Sequence, residues 1–528
     1  MTMRTSLHDL LREQAGRRAE APAVSFKDTT VSYGDLWQQV RAVAGGLLAL
    51  GLGREDRVAV YLDKRVETVA AIFGASAAGG AFVPVNPLLR APQVAYILAD
   101  CDVRVLVTSP ERLAQLEAEL AGCAALEHVV LVGGADGGAD VSHDGGPGAA
   151  YEVHRWSDLL GRVAPASAPQ PIDHDVAAIL YTSGSTGRPK GVVLSHRNLL
   201  VGAESVSHYL GNDSGDVILS ALPLSFDAGF SQLTTAFAVG AHVVLVNYLL
   251  PRDVVRACAR HRVTGLTCVP PLWIQLAEHD WPEEATRHLR YFANTGGRMP
   301  RVTLDRLRSI FPGARPFLMY GLTEAFRSTY LDPGEVDRRP DSIGRAIPNA
   351  EILVVRPDGT RCAPGEEGEL VHRGALVAQG YWGDPERTAE RFRPAPGRPP
   401  GSREVAVWSG DTVVADEEGF LYFVGRRDEM IKTSGYRVSP AEVEEVAYAT
   451  GMVRDAVALG VEDARLGQKI VLVATPTGSN GLTEASLLEV LRRRLPLYMV
   501  PSQVLVRPEI PRSPNGKFDR NLLREELA

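Results

Sequence analysis

The sequence predicts an α/β protein: a large N-terminal domain of two βα-layered sheets plus a small β-barrel, followed by a small α+β C-terminal domain. Three observations predict it. Short apolar runs alternate with amphipathic stretches through the first 130 residues, a second such series runs from Ala177 to about Leu331, and the texture changes again after Gly425. Strands that alternate with helices favour a largely parallel sheet covered on both faces. At 528 residues the chain is long enough for about three or four domain-sized units.

The elements follow in order. Residues 6–17 read as an amphipathic helix and residues 33–50 as a second, closed by Gly51. Residues 58–62, 81–85, 103–108 and 128–132 are apolar runs of strand length, with a helix at 66–78. Residues 133–150 (GGADGGADVSHDGGPGAA) are glycine-rich without periodicity and read as a surface loop, and residues 165–171 are another break. Strands at 351–355 and 368–373 flank the turn Pro357-Asp358-Gly359 and mark the smaller β-rich region; residues 393–403 are a loop. Helices at 440–449 and 482–495, with strands at 456–461 and 469–474, make the last unit. The expected domains are 1–427 and 428–528.

Composition removes several function classes. A chain that is 45% hydrophobic and 23% charged can bury large cores, so disordered and fibrous classes are excluded. A net charge of -8 offers no basic surplus for a nucleic-acid backbone. The five cysteines form no CxxC pair, which argues against both a zinc site and a disulfide framework. No run of about 18 apolar residues occurs and the N-terminus lacks an apolar signal core, so a cytoplasmic protein is expected. Of the 56 basic residues only Lys27, Lys64, Lys190, Lys432, Lys469 and Lys517 are lysine. Against that background a lysine marks chemistry that needs a compact, rotatable charge in place of a planar fork.

The most informative stretch is YTSGSTGRPKG, residues 181–191, which follows an apolar strand. Gly184, Gly187 and Gly191 permit tight turns and close approach of backbone to an anion. Thr182, Ser183, Ser185 and Thr186 supply hydroxyls and Lys190 supplies charge, a nest for a polyphosphate. A Walker A loop needs Gly-Lys followed by Ser or Thr; here Lys190 follows Pro189 and precedes Gly191.

This loop resembles the phosphate loop of the adenylate-forming superfamily of acyl-CoA synthetases, nonribosomal adenylation domains and luciferase-like enzymes. Four further motifs stand in that superfamily's order: Tyr320-Gly321-Leu322-Thr323-Glu324, Ser409-Gly410-Asp411, Gly425-Arg426-Arg427-Asp428, and residues 511–520, PRSPNGKFDR. The resemblance implies a ligase that joins a carboxylate to ATP, giving an acyl-AMP and pyrophosphate. Two anions meet in that step, so the site must supply positive charge. By resemblance Lys517 reaches the carboxylate, Thr323 sits beside the α-phosphate, and Glu324 holds Mg²⁺, a hard cation suited to carboxylate oxygen. Tyr320 stacks on adenine, while Asp411 and Arg426 hold the ribose. Asp428 is the implied hinge of a C-terminal domain that rotates after adenylation and brings Ser434 and Gly435 to the acyl-AMP, where a pantetheine thiol enters. Lys432 lies near that face.

The acyl group is less legible. The stretch 222–230 stands where the superfamily lines its acyl pocket, and Phe226-Asp227 looks like the pair with which amino-acid adenylation domains hold a substrate ammonium. A carboxylate in so apolar a neighbourhood is costly unless paired. Ser231, Trp273, Asn294, Thr295, Gly296, Met319, Phe326 and Arg327 are the other expected lining residues. Arg327 contacts a polar end of the substrate or pairs with Asp227; the second arrangement removes the need for a substrate ammonium. The segment GLTEAFRSTYL resembles stand-alone β-amino-acid adenylation enzymes and exosortase-associated acyl ligases. The leading expectation is an amino acid, β over α, loaded on the phosphopantetheine of a carrier protein in trans. The alternatives are an acyl-CoA ligase for a fatty or aryl acid and, remotely, a non-catalytic nucleotide sensor. No membrane or nucleic-acid partner is expected.

Overall fold

Six parallel strands form the middle of the first sheet: Pro22–Phe26, His242–Leu245, Val217–Ser220, Gly265–Cys268, Tyr291–Asn294 and Arg315–Tyr320, in that spatial order. Most of their residues are buried, which is why they read as apolar runs instead of alternating patterns. These strands belong to a computed structural model that describes residues 3–133, 151–162, 170–182, 189–399, 401–426, 429–433, 436–463, 466–478, 482–495 and 497–527.

Beyond Arg315–Tyr320 the sheet turns antiparallel. It passes through Thr329–Leu331, Ser342–Ala346, Leu421–Arg426, Val405–Ala415, Glu367–Gly374 and Ala350–Val355. This is the β-rich region, and its hydrogen-bonded order is continuous with the first sheet, with Phe392–Pro394 pairing on Val405–Ala415 as a side branch. The strand Val405–Ala415 is the longest here and is invisible to pattern reading, because Ser409-Gly410-Asp411 interrupts its apolar run.

The second sheet runs Gly380–Tyr381, Lys190–Ser195, Val176–Thr182, Ala81–Pro84, Arg57–Tyr61, Val103–Thr108, His128–Leu131 and Glu152–Arg155. The helices Tyr33–Ala49, Val66–Ala77, His196–Leu210 and Asp227–Val239 share one hydrophobic core with strands of both sheets. Their ends follow from local chemistry. Ser195 accepts from the Asn198 N–H while Asn198 reaches back to the Ser195 N–H, a capping box that starts His196–Leu210. Gly211, at φ 62°, ends the same helix in the left-handed region.

A third sheet holds Tyr436–Val438, Ile431–Thr433, Gly467–Pro476, Val453–Asp463 and Gln503–Val506, backed by helices Pro440–Tyr448 and Glu484–Arg494. Its core is separate except for Ile274, which inserts from the larger part. The two parts also meet where Asn86 Nδ2 donates to the Pro514 carbonyl at 2.9 Å and where the Arg301 N–H donates to Glu445 at 3.2 Å. No described helix is long and apolar enough to cross a membrane. The five cysteines are free thiols.

Candidate active site

In an open α/β sheet, ligands gather where parallel strands end. Four neighbouring strands of the first sheet end together here: Val217–Ser220, Gly265–Cys268, Tyr291–Asn294 and Arg315–Tyr320. Their continuations carry Phe226 and Asp227, then Val269, then Thr295 and Gly296, then Thr323 to Arg327. Residues from four separate segments are thereby brought to one edge.

On one side of that edge lies a buried carboxylate. Thr323 and Glu324 sit in the 3₁₀ turn Thr323–Ala325, both buried. Glu324 Oε1 accepts from Lys190 Nζ at 2.9 Å and from the Tyr381 hydroxyl at 2.6 Å. Burial pushes the Glu324 carboxyl upward, but the Lys190 charge and the Tyr381 hydroxyl outweigh it and hold the group at about 2. Lys190 begins the strand Lys190–Ser195 and pairs in register with Thr182, whose buried Oγ1 has no hydrogen-bond partner among the described residues. Such an orphan next to a cation fits an incoming anion's oxygens. Ser183, Gly184, Ser185, Thr186 and Gly187 lie outside the described residues.

Beside it stands an aromatic pair. The Tyr320 hydroxyl donates to Asp411 Oδ2, and the Tyr320 and Phe423 rings lie tilted at 41° with centroids 6.2 Å apart. Asp411 is buried on Val405–Ala415, where its N–H is held by Ser409 Oγ. Arg426 ends the strand Leu421–Arg426; its side chain is outside the described residues, as are Asp428, Ser434, Gly435 and the side chain of Lys432.

On the other side lies the segment 222–230, with Arg327 against it. Asp227 opens the helix Asp227–Val239, and its Oδ2 accepts from Arg327 Nη1 at 2.9 Å; the side chains are 4% and 3% exposed. Arg327 Nη1 also donates to the Phe326 carbonyl at 2.9 Å. A local distortion presents it. Phe326 stands at φ 58°, ψ -50°, and the Arg327 N–H donates to the Ala325 carbonyl at 2.6 Å, a γ-turn centred on a bulky residue. Strain of that kind costs on the order of 1–3 kcal/mol and persists only where packing enforces it. Packing does so here, for the Phe326 ring fills the space over Gly202, where any Cβ would meet Phe326 Cε1 at 2.8 Å.

The remaining expected lining residues divide. Asn294 donates to the Gly297 carbonyl at 2.8 Å, and its buried Oδ1 has no partner among the described residues; the same holds for Ser225 Oγ and Arg327 Nε. Thr295 is buried beside it. Ser231 Oγ lies 3.4 Å from Thr235 Oγ1, and Met319 takes the Tyr209 hydroxyl on its sulfur at 2.9 Å. Trp273 is a core residue: its indole donates to the Ala293 carbonyl at 3.1 Å and its ring packs on Phe292 and Phe311.

Lys517 joins the two sides. Its Nζ lies 5.0 Å from the centre of the Phe226 ring, within cation–π range. Its stem crosses Gly296, where a Cβ would meet Lys517 Cε at 2.9 Å; Gly296 is also at φ 77°. Only glycine satisfies both conditions. Sequence reading did not reach Tyr381 or Phe423, which lie outside every motif. One other group among the described residues has metal-ligand types, His128, Glu152 and His154. There Arg162 donates to His154 Nδ1 at 3.1 Å, so His154 Nε2 keeps its proton for His128 Nδ1 and the trio is a hydrogen-bonded pair beside a carboxylate.

The sequence profile of the AMP-binding enzyme family matches residues 11–382, and that of the AMP-binding enzyme C-terminal domain matches residues 442–517. The chain belongs to the AMP-binding enzyme family. As a member it is an AMP-forming acid ligase. It is 30% identical to the L-proline–[L-prolyl-carrier protein] ligase of Pseudomonas fluorescens, over 99% of each chain. It is also 30% identical to the long-chain-fatty-acid–CoA ligase of Escherichia coli O157:H7, over 99% of this chain and 94% of that one. It is 29% identical to a linear gramicidin synthase of Brevibacillus parabrevis, over 98% of this chain but only 10% of that protein's length. Among solved structures it superposes on an anthranilate CoA ligase bound to anthranoyl-AMP with a TM-score of 0.88, at 23% identity over 100% of this chain and 98% of that one. It superposes on ATP-bound MatB of Rhodopseudomonas palustris with a TM-score of 0.84, at 25% identity over 98% of each chain.

Proposed function

We propose that this AMP-binding enzyme adenylates a small carboxylic acid with ATP and passes the acyl group to a pantetheine thiol, on CoA or on a carrier protein. Tyr320 and Phe423 flank adenine, Asp411 takes the ribose hydroxyls, and Thr182 and Lys190 face the phosphates. Lys517 stands where the acid's carboxylate meets the α-phosphorus, its charge offsetting the approach of two anions. Glu324, held ionised, fits Mg²⁺ as a hard oxygen ligand; bound with the nucleotide, the ion would neutralise phosphate charge. The parts divide at residues 427/428, between the strands Leu421–Arg426 and Ile431–Thr433, and Lys517 over Phe226 is the arrangement that adenylation needs.

The Asp227–Arg327 pair carries the reading of the substrate. An ammonium was expected because a buried carboxylate needs a partner; Arg327 already provides it, 100 residues away in sequence. The pair therefore supports an acid with no amine at that position, with Arg327 Nε open to an oxygen at its far end. A second reading, an amino acid (β over α) loaded on a carrier protein, is favoured by one observation. Only the Nη1–Oδ2 bond joins the pair among the described residues, so an ammonium at Asp227 and an oxygen at Arg327 would complete both groups. ATP–pyrophosphate exchange over α-amino, β-amino, fatty, aryl and dicarboxylic acids separates the two. Exchange confined to amino acids overturns the first reading.

A further inference from the structure

A third buried cation lies outside every motif. Lys64, in the link between Arg57–Tyr61 and Val66–Ala77, is 8% exposed. Its Nζ donates to three consecutive carbonyls: Ser220 at 2.9 Å, Ala221 at 2.8 Å and Leu222 at 3.1 Å. Three N–H donors meet three acceptors, which satisfies an ammonium completely. A planar guanidinium cannot aim three donors from one atom, and this is one of only six positions where the chain keeps lysine. The backbone of Lys64 is itself pinned. Its N–H donates to Asn247 Oδ1 at 3.1 Å, and Asn247 Nδ2 donates back to its carbonyl at 2.8 Å.

Those three carbonyls end the strand Val217–Ser220 and begin the acyl segment. Four and five residues after Leu222 come Phe226, under Lys517, and Asp227, on Arg327. From the opposite side the first turn of Asp227–Val239 closes on the same segment, since a Cβ at Gly229 would overlap the Pro223 carbonyl. The segment is held between a lysine and a glycine that sit on different parts of the fold.

We propose that Lys64 is a positioning residue for the acid: its ammonium serves as a built-in monovalent cation that sets the backbone of residues 220–222, and thereby places Phe226 and Asp227, without touching substrate. This rests on the reading of residues 222–230 as the acyl wall. The test is exchange kinetics of Lys64→Ala with and without methylammonium. The KM for the acid rises about tenfold or more while the KM for ATP stays within about twofold, since misplacement is confined to one wall. Methylammonium restores the acid KM in Lys64→Ala and leaves the wild type unchanged; Lys64→Arg behaves as Lys64→Ala. Equal rises in both KM values, or an acid KM at the wild-type value, overturn the proposal. Should Lys64→Ala not fold, the exposed Asn247→Ala loosens the same clamp and shows the same split, and equal effects there overturn it equally. A wild type with no exchange on any acid defeats the acyl-wall reading instead. The clamp is then read from methylammonium raising the Tm of Lys64→Ala alone, and no rise overturns it.

Discussion

The two sides of the active site each bury a carboxylate against a cation, and the cations differ. Glu324 is met by Lys190, a single point charge on a flexible stem, 17% exposed at the end of a strand beside the phosphate loop. Asp227 is met by Arg327, 3% exposed, whose Nη1 is also tied to the Phe326 carbonyl at a strained turn. An ammonium can leave one oxygen for another by rotating its stem, whereas a guanidinium pinned to backbone cannot. On the proposed reading, the Glu324 side can exchange partners as phosphates arrive and leave, and the Asp227 side presents a fixed surface. The lysine pair and the arginine pair are the same electrostatics with different mobility.

This contrast is most exposed to experiment at the arginine. Arg327→Met leaves Asp227 buried without its partner and should cost about 3–5 kcal/mol in denaturant unfolding, whereas Asp227→Asn combined with Arg327→Met should recover most of it. Lys190→Met should lose less stability, because its position is more exposed, but more exchange activity. A Lys190 variant less stable than the Arg327 variant would erase the distinction. Next in size is Lys517→Ala, which should lower adenylation by about 10²–10³-fold, as removal of a charge aimed at a developing anion does. Thioester formation from preformed acyl-AMP should survive, and a matching loss in single-turnover assays would contradict the two-conformation reading. Phe423→Ala removes the ring that lies against Tyr320 at the proposed adenine position. It should raise the KM for ATP several-fold, at about 0.5–1.5 kcal/mol for an aromatic pair, and leave the acid KM alone.

A further effect is one of pH. The Glu324 carboxyl sits below its ordinary value, at about 2 against 4.5. A depressed carboxyl contributes stability that is full above its unfolded pKa and disappears as pH falls through the folded one. Acid unfolding between about pH 4.5 and 2 should therefore be shallower in Glu324→Gln than in the wild type. Parallel curves would mean that Lys190 and Glu324 are not coupled.

The proposed ATP side could be read from sequence because each of its motifs is contiguous. Residues 320–324 and 409–411 each stand together on one short stretch of backbone, so their order along the chain carries through to their placement. The strands that carry them were partly legible. Residues 103–108 coincide with Val103–Thr108, and residues 66–78 with Val66–Ala77 to one residue. Val405–Ala415 was not, because a strand that carries a functional triplet loses the apolar pattern that reveals strands. Tyr381 and Phe423 were missed for a related reason. Each is brought to Glu324 or Tyr320 by the fold, in a way that no local pattern encodes.

Five ordered motifs were enough to establish the adenylate-forming chemistry, and motif membership against a scarcity of lysine drew attention to Lys190, Lys432 and Lys517. That Arg327 pairs with Asp227, one of two arrangements the sequence left open, and that Lys64 holds three carbonyls, emerged from the folded arrangement. Arg327 lies 100 positions from Asp227, and Lys64 lies 156 to 158 from the carbonyls it holds. A buried charge is settled by whichever group the fold brings within about 3 Å, in a medium where an unmade partnership costs several kcal/mol. Composition and motif order carry no information about that distance. It is set by the γ-turn at Phe326, by the packing of Gly202 and Gly229, and by the two sheets closing on the helices between them.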